Sequence, residues 1–134
     1  MEFTYDDGGR SKYFKAKNVG DCAVRAIAIA TGIDYMKVYK DLKELNGGKS
    51  CRNGTPKKVY RAYLESLGWK WEPTMLPGKG CQVHLREEDL PHQRLIVSVS
   101  KHLTCVLDGV IYDTFDCSRN GTRCVYGYWY REEE

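Results

Sequence analysis

The stretch that decides the fold runs from residue 18 to residue 32 and reads Asn-Val-Gly-Asp-Cys-Ala-Val-Arg-Ala-Ile-Ala-Ile-Ala-Thr-Gly. Asp21 is a favourable N-cap residue, and Gly32 suits the left-handed position that commonly follows a helix. Between them, residues 22–30 carry almost no polar face, and a helix that is apolar all round is buried. The sequence therefore predicts a central, buried helix that begins at Cys22.

Two amphipathic helices are expected after this central helix, followed by strands. Apolar side chains recur at helical spacing after Asp34 and again after Pro56, and glycines stop both runs. The clearest strand patterns span residues 95–99, 103–107, 110–115 and 124–130. This order indicates an α+β fold, with N-terminal helices packed on a C-terminal antiparallel sheet. A length of 134 residues suits a single domain, residues 1–134.

Composition narrows the cellular setting that we expect. No apolar run approaches the ~20 residues of a membrane helix, and the acidic residues 1–7 lack the apolar core of a signal peptide. We therefore expect a cytoplasmic protein with no membrane partner. In a reducing compartment, the six cysteines are expected to be buried, metal-binding or catalytic thiols rather than disulfides. The sequence leaves the oligomeric state open.

Charge is unevenly distributed along the chain. Residues 1–70 hold 14 Lys and Arg against 8 Asp and Glu, whereas residues 71–134 hold 7 against 10. A positive first half could favour an acidic partner. We attribute it instead to solvated helix faces, because the lysines are spread along the polar sides of the predicted helices.

Cys22 is the cysteine with a physical reason to be reactive. The start of a helix carries about half a positive charge and unpaired N–H groups, and both favour a thiolate. Arg25, one turn further on, adds positive charge if it points the same way. The structural alternative is a small buried residue that simply begins a core helix.

A candidate base and its orienting group come from a predicted hairpin. If Asp108 and Gly109 form a two-residue turn, Thr104 faces Asp113 across the strands. His102 lies two residues before Thr104 on the same face, so His102 and Asp113 are diagonal neighbours. A three-residue turn would pair His102 with Asp116 instead. A purely structural cross-strand pair is the alternative reading.

The chain order Cys22, His102, Asp113 resembles that of papain-like cysteine peptidases, which place a nucleophilic cysteine at the start of a central helix. Residues 20–28 also resemble the Asp-Gly-Asn-Cys-Leu-Phe-Arg-Ala-Ile motif of ovarian-tumour-type deubiquitinases. Residues 111–114 are similar to the Asp-containing strand of transglutaminase-like enzymes. The resemblance implies a papain-like fold and a Cys-His-Asp catalytic triad.

Two departures from these families concern the residues before the cysteine. Asp21 adjoins Cys22, whereas the deubiquitinase motif has its Asp three residues earlier, and no Gln stands at the usual oxyanion position. Asn18 is the nearest amide, so we expect Asn18 and the backbone N–H of Cys22 to bind the oxyanion. Residues 7–10, 18–22 and 101–104 also resemble a family of small bacterial and phage proteins, which implies an origin but no activity.

These residues predict a cysteine hydrolase, peptidase-like or isopeptidase-like, that acts on a peptide or protein substrate without a cofactor or metal. The alternative is a non-catalytic protein-binding module on the same fold, directed at a phage or host protein. The aromatic residues are expected to pack in the core, and no motif points to specific nucleic-acid binding. A zinc site is a competing possibility, although one of its spacings exceeds the usual range. Its ligands would be Cys81, His84, Cys117 and Cys124.

Overall fold

The computed structural model describes residues 1–15 and 19–132. Within these residues the strands are β1 (Glu2–Tyr5), β2 (Lys70–Pro73), β3 (Arg94–Val99), β4 (His102–Leu107), β5 (Val110–Asp113) and β6 (Gly127–Tyr130). The helices are α1 (Cys22–Thr31), α2 (Tyr35–Leu45) and α3 (Lys57–Ser66), with single 3-10 turns at Arg10–Lys12 and Glu87–Asp89. Three helices and a six-stranded sheet confirm the predicted α+β class. In the described ranges, no helix is both long and apolar enough to cross a membrane.

The sheet has the order β1-β5-β4-β3-β6-β2 and is mixed rather than antiparallel. Strand β1 pairs with β5 in parallel, from Glu2 opposite Val110 to Tyr5 opposite Asp113, while the other neighbours are antiparallel. The prediction of an antiparallel sheet that follows all the helices was therefore wrong at this edge. The reason is that the N-terminal strand covers an edge that β5 would otherwise leave unpaired.

Helix α1 lies against the centre of the sheet, chiefly on β4. It begins at Cys22 as predicted and ends where Gly32 adopts φ 76° and donates its N–H to the carbonyl of Ala28. Val24, Ile27 and Ala30 are fully buried, which agrees with a helix that lacks a polar face. This packing brings the start of α1 close to one end of β4.

The β4–β5 hairpin has the predicted two-residue turn. Asp108 and Gly109 have φ values of 48° and 83°, and two successive left-handed residues are typical of a type I′ turn. Leu107 pairs with Val110, and the ladder continues to Cys105 opposite Tyr112. The register is therefore confirmed, and it puts the start of β4 and the end of β5 at the same end of the sheet.

Two apolar layers cover the two faces of the sheet. The helices cover one face, where side chains such as Ile27 and Leu42 pack in one layer with Trp129 of β6. The opposite face is covered by less regular chain, including Leu85, Leu90 and Val125. Residues 81–85 add no strand to the sheet and make only a single bridge, between His84 and Cys124.

Candidate active site

Cys22 is the first residue of α1, and its side chain is half-buried at the edge of a cleft. Asp21 occupies the N-cap position, but its side chain makes no capping hydrogen bond to the helix. The first-turn N–H groups of α1 therefore keep their partial positive charge for whatever lies beside Cys22. Asp21 is therefore at the predicted N-cap position, but its carboxylate forms hydrogen bonds elsewhere.

The Asp21 carboxylate is buried and holds together three polar side chains beneath the cleft. It accepts hydrogen bonds from Arg10 at 3.0 Å, from Tyr35 at 2.6 Å and from Arg25, and it is 1% exposed. A buried carboxylate is costly unless it is paired and hydrogen-bonded, and this one is both. Arg25 also reaches Asp113, with 3.4 Å between Nη2 and Oδ1. The start of α1 is thus tied to the end of β5.

His102 and Asp113 form the pair that the hairpin register predicted. His102 Nε2 lies 2.7 Å from Asp113 Oδ2, and their side chains are 10% and 3% exposed. Asp113 Oδ1 also accepts the backbone N–H of Thr114 at 2.7 Å. The competing carboxylate, Asp116, instead accepts bonds from the N–H and the hydroxyl of Ser118. The structure therefore selects Asp113 over Asp116 as the partner of His102.

The helix and the hairpin meet, so that Cys22 and His102 line the same cleft and interact electrostatically. Burial raises the pKa of the Cys22 thiol, but His102, a backbone N–H and the charge of Arg25 together lower it below 9.0. Burial alone would lower the pKa of His102, whereas its bonds to Asp113 and to two neighbouring thiols raise it to about 11. Burial opposes ionisation of Asp113, and its bond with His102 keeps its pKa below 3.8. These directions favour a thiolate beside an imidazolium, held by a carboxylate.

The cleft above Cys22 has a volume of about 600 Å³ and reaches both reacting side chains. Its walls come from the start of α1, the loop before α3, the first turns of α3, and the ends of β3, β4 and β5. The ring of Phe115 lies against His102, with 5.1 Å between the ring centroids. Gly20 lets the loop approach closely, since an added Cβ would lie 3.2 Å from the backbone oxygen of Asn53. Cys22 and His102 therefore lie side by side in the lining of one cleft.

The predicted oxyanion residues have different outcomes. The backbone N–H of Cys22 lies at the uncapped start of α1, as expected. Asn18 lies outside the described residues. Asn53 also lines the cleft, and sequence reasoning missed it because nothing in its loop indicates which helix the loop packs against. Asn53 is thus a residue of the cleft wall that the sequence motifs did not indicate.

Cys117, which the sequence offered only as a possible zinc ligand, lies beside His102 and Asp113 instead. Its side chain is buried, and its Sγ lies 3.8 Å from Asp113 Oδ2. Donor atoms of His102, Asp113 and Cys117 all lie within 4.8 Å of one another, the one metal-capable group found in the described residues. Nitrogen, oxygen and sulfur donors at these separations suit a soft divalent cation such as Zn²⁺.

The other cysteines correct the expectation of six reduced thiols. Cys81 and Cys124 form a disulfide, with their Cα atoms 5.9 Å apart. This pairing was missed because the two residues are 43 positions apart and meet only when residues 81–85 cross the chain before β6. The competing zinc set is not brought together, since Cys117 lies with His102 and not with His84, and Cys81 is bonded to Cys124. Cys105 is fully buried on β4, as expected, and burial raises its pKa.

Comparison with known proteins supplies no relative for this chain: no protein-family model, no curated protein and no solved structure matches it.

Proposed function

We propose that the protein is a cysteine hydrolase of papain-like organisation, which cleaves a peptide or isopeptide bond through a thioester. The observation that carries the proposal is that Cys22, at the start of α1, lines an open cleft together with His102, whose ring is bonded to Asp113 at 2.7 Å. A nucleophile, a base that contacts it and a group that orients the base are the components of covalent acyl transfer. The choice of a peptide bond rests on the resemblance to papain-like peptidases.

In the first half of the proposed reaction, the Cys22 thiolate attacks the carbonyl carbon and forms a C–S bond. The carbonyl oxygen becomes an oxyanion, which the backbone N–H of Cys22 stabilises at the start of α1. The His102 imidazolium then gives its proton to the leaving nitrogen as the C–N bond breaks. An amine leaves, and the acyl group stays on Cys22 as a thioester.

In the second half, His102 is neutral and takes a proton from a water molecule that attacks the thioester. The C–S bond breaks, the carboxylic acid product leaves, and the thiolate–imidazolium pair is restored. Asp113 stays ionised throughout and keeps the His102 ring in place through their 2.7 Å contact. Arg25 acts through Asp113 as a positioning residue, because it joins that carboxylate to Asp21.

Iodoacetamide labelling across pH, read by peptide mass spectrometry, tests this proposal without knowledge of the substrate. We expect Cys22 to be alkylated preferentially near pH 6 and to lose that preference in the His102→Ala variant. The buried thiols Cys51, Cys105 and Cys117 serve as internal controls in the same digest. Slow and uniform labelling of all four free cysteines would contradict the proposal.

A search for turnover then separates the enzyme from a binding module. A peptide library incubated with the wild type should give a Cys22 thioester that hydroxylamine releases as a hydroxamate. The Cys22→Ala variant should give neither the adduct nor cleaved peptides. A protein that binds peptides equally well with and without Cys22, and never forms the thioester, would be the non-catalytic module.

A further inference from the structure

The cleft above Cys22 carries positive charge on two of its walls. Lys57, the first residue of α3, lies on one wall, and Lys101, in the turn between β3 and β4, lies on the other. Both side chains are exposed. Among the described residues that line the cleft, none is Asp or Glu. Asp113 lies beneath the cleft, where it is already paired with His102 and Arg25.

Nothing in the described part of the chain neutralises these two lysines. The lysine ion pairs that form there involve Lys37 with Asp41 and Lys70 with Glu132, both away from the cleft. Lys57 Nζ lies over the face of Trp71, 5.8 Å from the ring centroid. A cation–π contact of this kind leaves the full charge in place. The field in the cleft is therefore positive, and the uncapped start of α3 adds to it.

The backbone at Lys101 is a second observation that points to this side chain. Ser100 and Lys101 form the two-residue turn between Val99 and His102, and Lys101 has a φ of 56°. Glycine or asparagine adopts this left-handed conformation at lower cost than lysine. The turn nevertheless carries a long cationic side chain, directly before His102 and beside the cleft. A strained residue next to reacting groups is where a functional side chain is expected.

We propose that the substrate is an acidic peptide, with an Asp or Glu side chain close to the bond that Cys22 attacks. This inference rests on the proposed function and names the substrate class for the same cleft. Lys57 and Lys101 bind the substrate carboxylate and thereby hold the scissile carbonyl over Cys22. The positive walls also attract acidic chains from solution, so that their association is faster at low salt than at high salt.

A matched pair of alkylating reagents measures this field at the sulfur itself. Iodoacetate and iodoacetamide have nearly the same shape, and both release iodide when the sulfur attacks, but only iodoacetate is an anion. We expect the ratio of their rate constants at Cys22 to fall about fivefold in the Lys57→Gln, Lys101→Gln double variant. The iodoacetamide rate alone should change less than about twofold, because the Cys22–His102 pair is intact.

Lys58→Gln is the matched control, because Lys58 neighbours Lys57 on α3 but lies outside the cleft. It removes the same charge and should leave the ratio within about 1.5-fold of the wild type. Raising the salt concentration should lower the ratio in the wild type and scarcely change it in the double variant. An unchanged ratio in the double variant, or an equal fall in the Lys58→Gln control, overturns the inference.

Peptide binding tests the same inference when Cys22 is not reactive at all. Dye-labelled, end-blocked hexapeptides with one Glu at each position, and matched Gln peptides, are titrated against the Cys22→Ala variant by fluorescence anisotropy. We expect at least one Glu peptide to bind about fivefold more tightly than its Gln partner, and Lys57→Gln, Lys101→Gln to remove that difference. Equal binding of every Glu and Gln pair overturns the acidic-substrate inference, whereas uniform cysteine labelling overturns the proposed hydrolase.

Discussion

Two regions of this protein each bring a cysteine, a histidine and an aspartate together, and they differ in almost every other respect. At the cleft, Cys22 contacts His102, which contacts Asp113. In residues 81–89, called the edge group below, the Cys81 Sγ lies 3.7 Å from His84 Nε2. His84 Nδ1 in turn lies 3.7 Å from Asp89 Oδ2. Residue types and proximity alone would therefore identify both groups as candidate active sites.

The environment separates them. The cleft group is assembled from α1, β4 and β5, and its histidine and aspartate are largely buried. The edge group lies within nine residues of irregular chain; its cysteine is exposed and is bonded to Cys124. Asp89 in that group is shared with Arg86, at 2.9 Å. The two groups thus differ in setting: the cleft group has a free thiol at a helix start, whereas the cysteine of the other group is in a disulfide.

Exchanging each histidine for alanine should give the largest contrast between the two regions. His102→Ala removes the hydrogen bond and the charge that lower the pKa of Cys22, while burial, which raises it, remains. We expect the pKa of Cys22 to rise and the rate of peptide cleavage to fall about 1000-fold. His84→Ala should leave both unchanged. Equal losses in the two variants, measured by kcat/KM and by labelling pH profiles, would contradict the assignment.

Exchanging each aspartate for asparagine should give the next largest contrast. Asp113 raises the pKa of His102, so Asp113→Asn lowers it, and the imidazolium that holds the Cys22 thiolate is lost at a lower pH. We expect cleavage near neutral pH to fall about 30-fold. The alkaline limb of the pH–rate profile should also move toward lower pH. Asp89→Asn, the matched control at the edge, should leave the profile in place.

Loss of the disulfide should lower the stability of the fold without changing the reactivity of Cys22. Cys81→Ser, Cys124→Ser opens a loop with a sequence separation of 43, and we expect the free energy of unfolding to fall by about 2 kcal/mol. Urea denaturation of the variant and the wild type measures this difference. The iodoacetamide rate of Cys22 should stay within about twofold of the wild type. A loss of Cys22 reactivity in this variant would show that the two regions are coupled.

Asp116→Asn should have the smallest effect on Cys22 labelling, and it tests which carboxylate pairs with His102. Asp116 bonds to Ser118 in its own turn and not to His102. We expect the labelling rate of Cys22 and its pH profile to be the same as in the wild type. A shift comparable with that of Asp113→Asn would mean that the hairpin pairs in the three-residue register.

Local sequence signals predicted the parts of the site that are close together in the chain. The apolar run after Asp21 predicted α1, and the Asp108–Gly109 turn predicted the register that joins His102 to Asp113. Helix caps and two-residue turns depend on the conformations of a few neighbouring residues, so they can be read without the rest of the fold. The resemblance to papain-like peptidases supplied the expected order of the reacting residues.

Contacts between distant segments could not be predicted in the same way. The carboxylate of Asp21 was expected to cap a helix, yet it accepts hydrogen bonds from two arginines and Tyr35 in the core. The parallel pairing of β1 with β5, and the position of Asn53 beside Gly20, likewise depend on which surfaces pack together. Local conformational preferences do not encode these pairings, because many arrangements of the same elements satisfy those preferences equally well.

The sequence by itself predicted that Cys22 begins a buried helix and that His102 and Asp113 are diagonal neighbours across a hairpin. Only the tertiary structure decided that helix and hairpin meet, that Cys117 joins His102 and Asp113, and that Cys81 pairs with Cys124. The physical reason is that caps and turns are set by neighbouring backbone groups. The approach of residues 22 and 102 is instead set by the burial of α1 against β4.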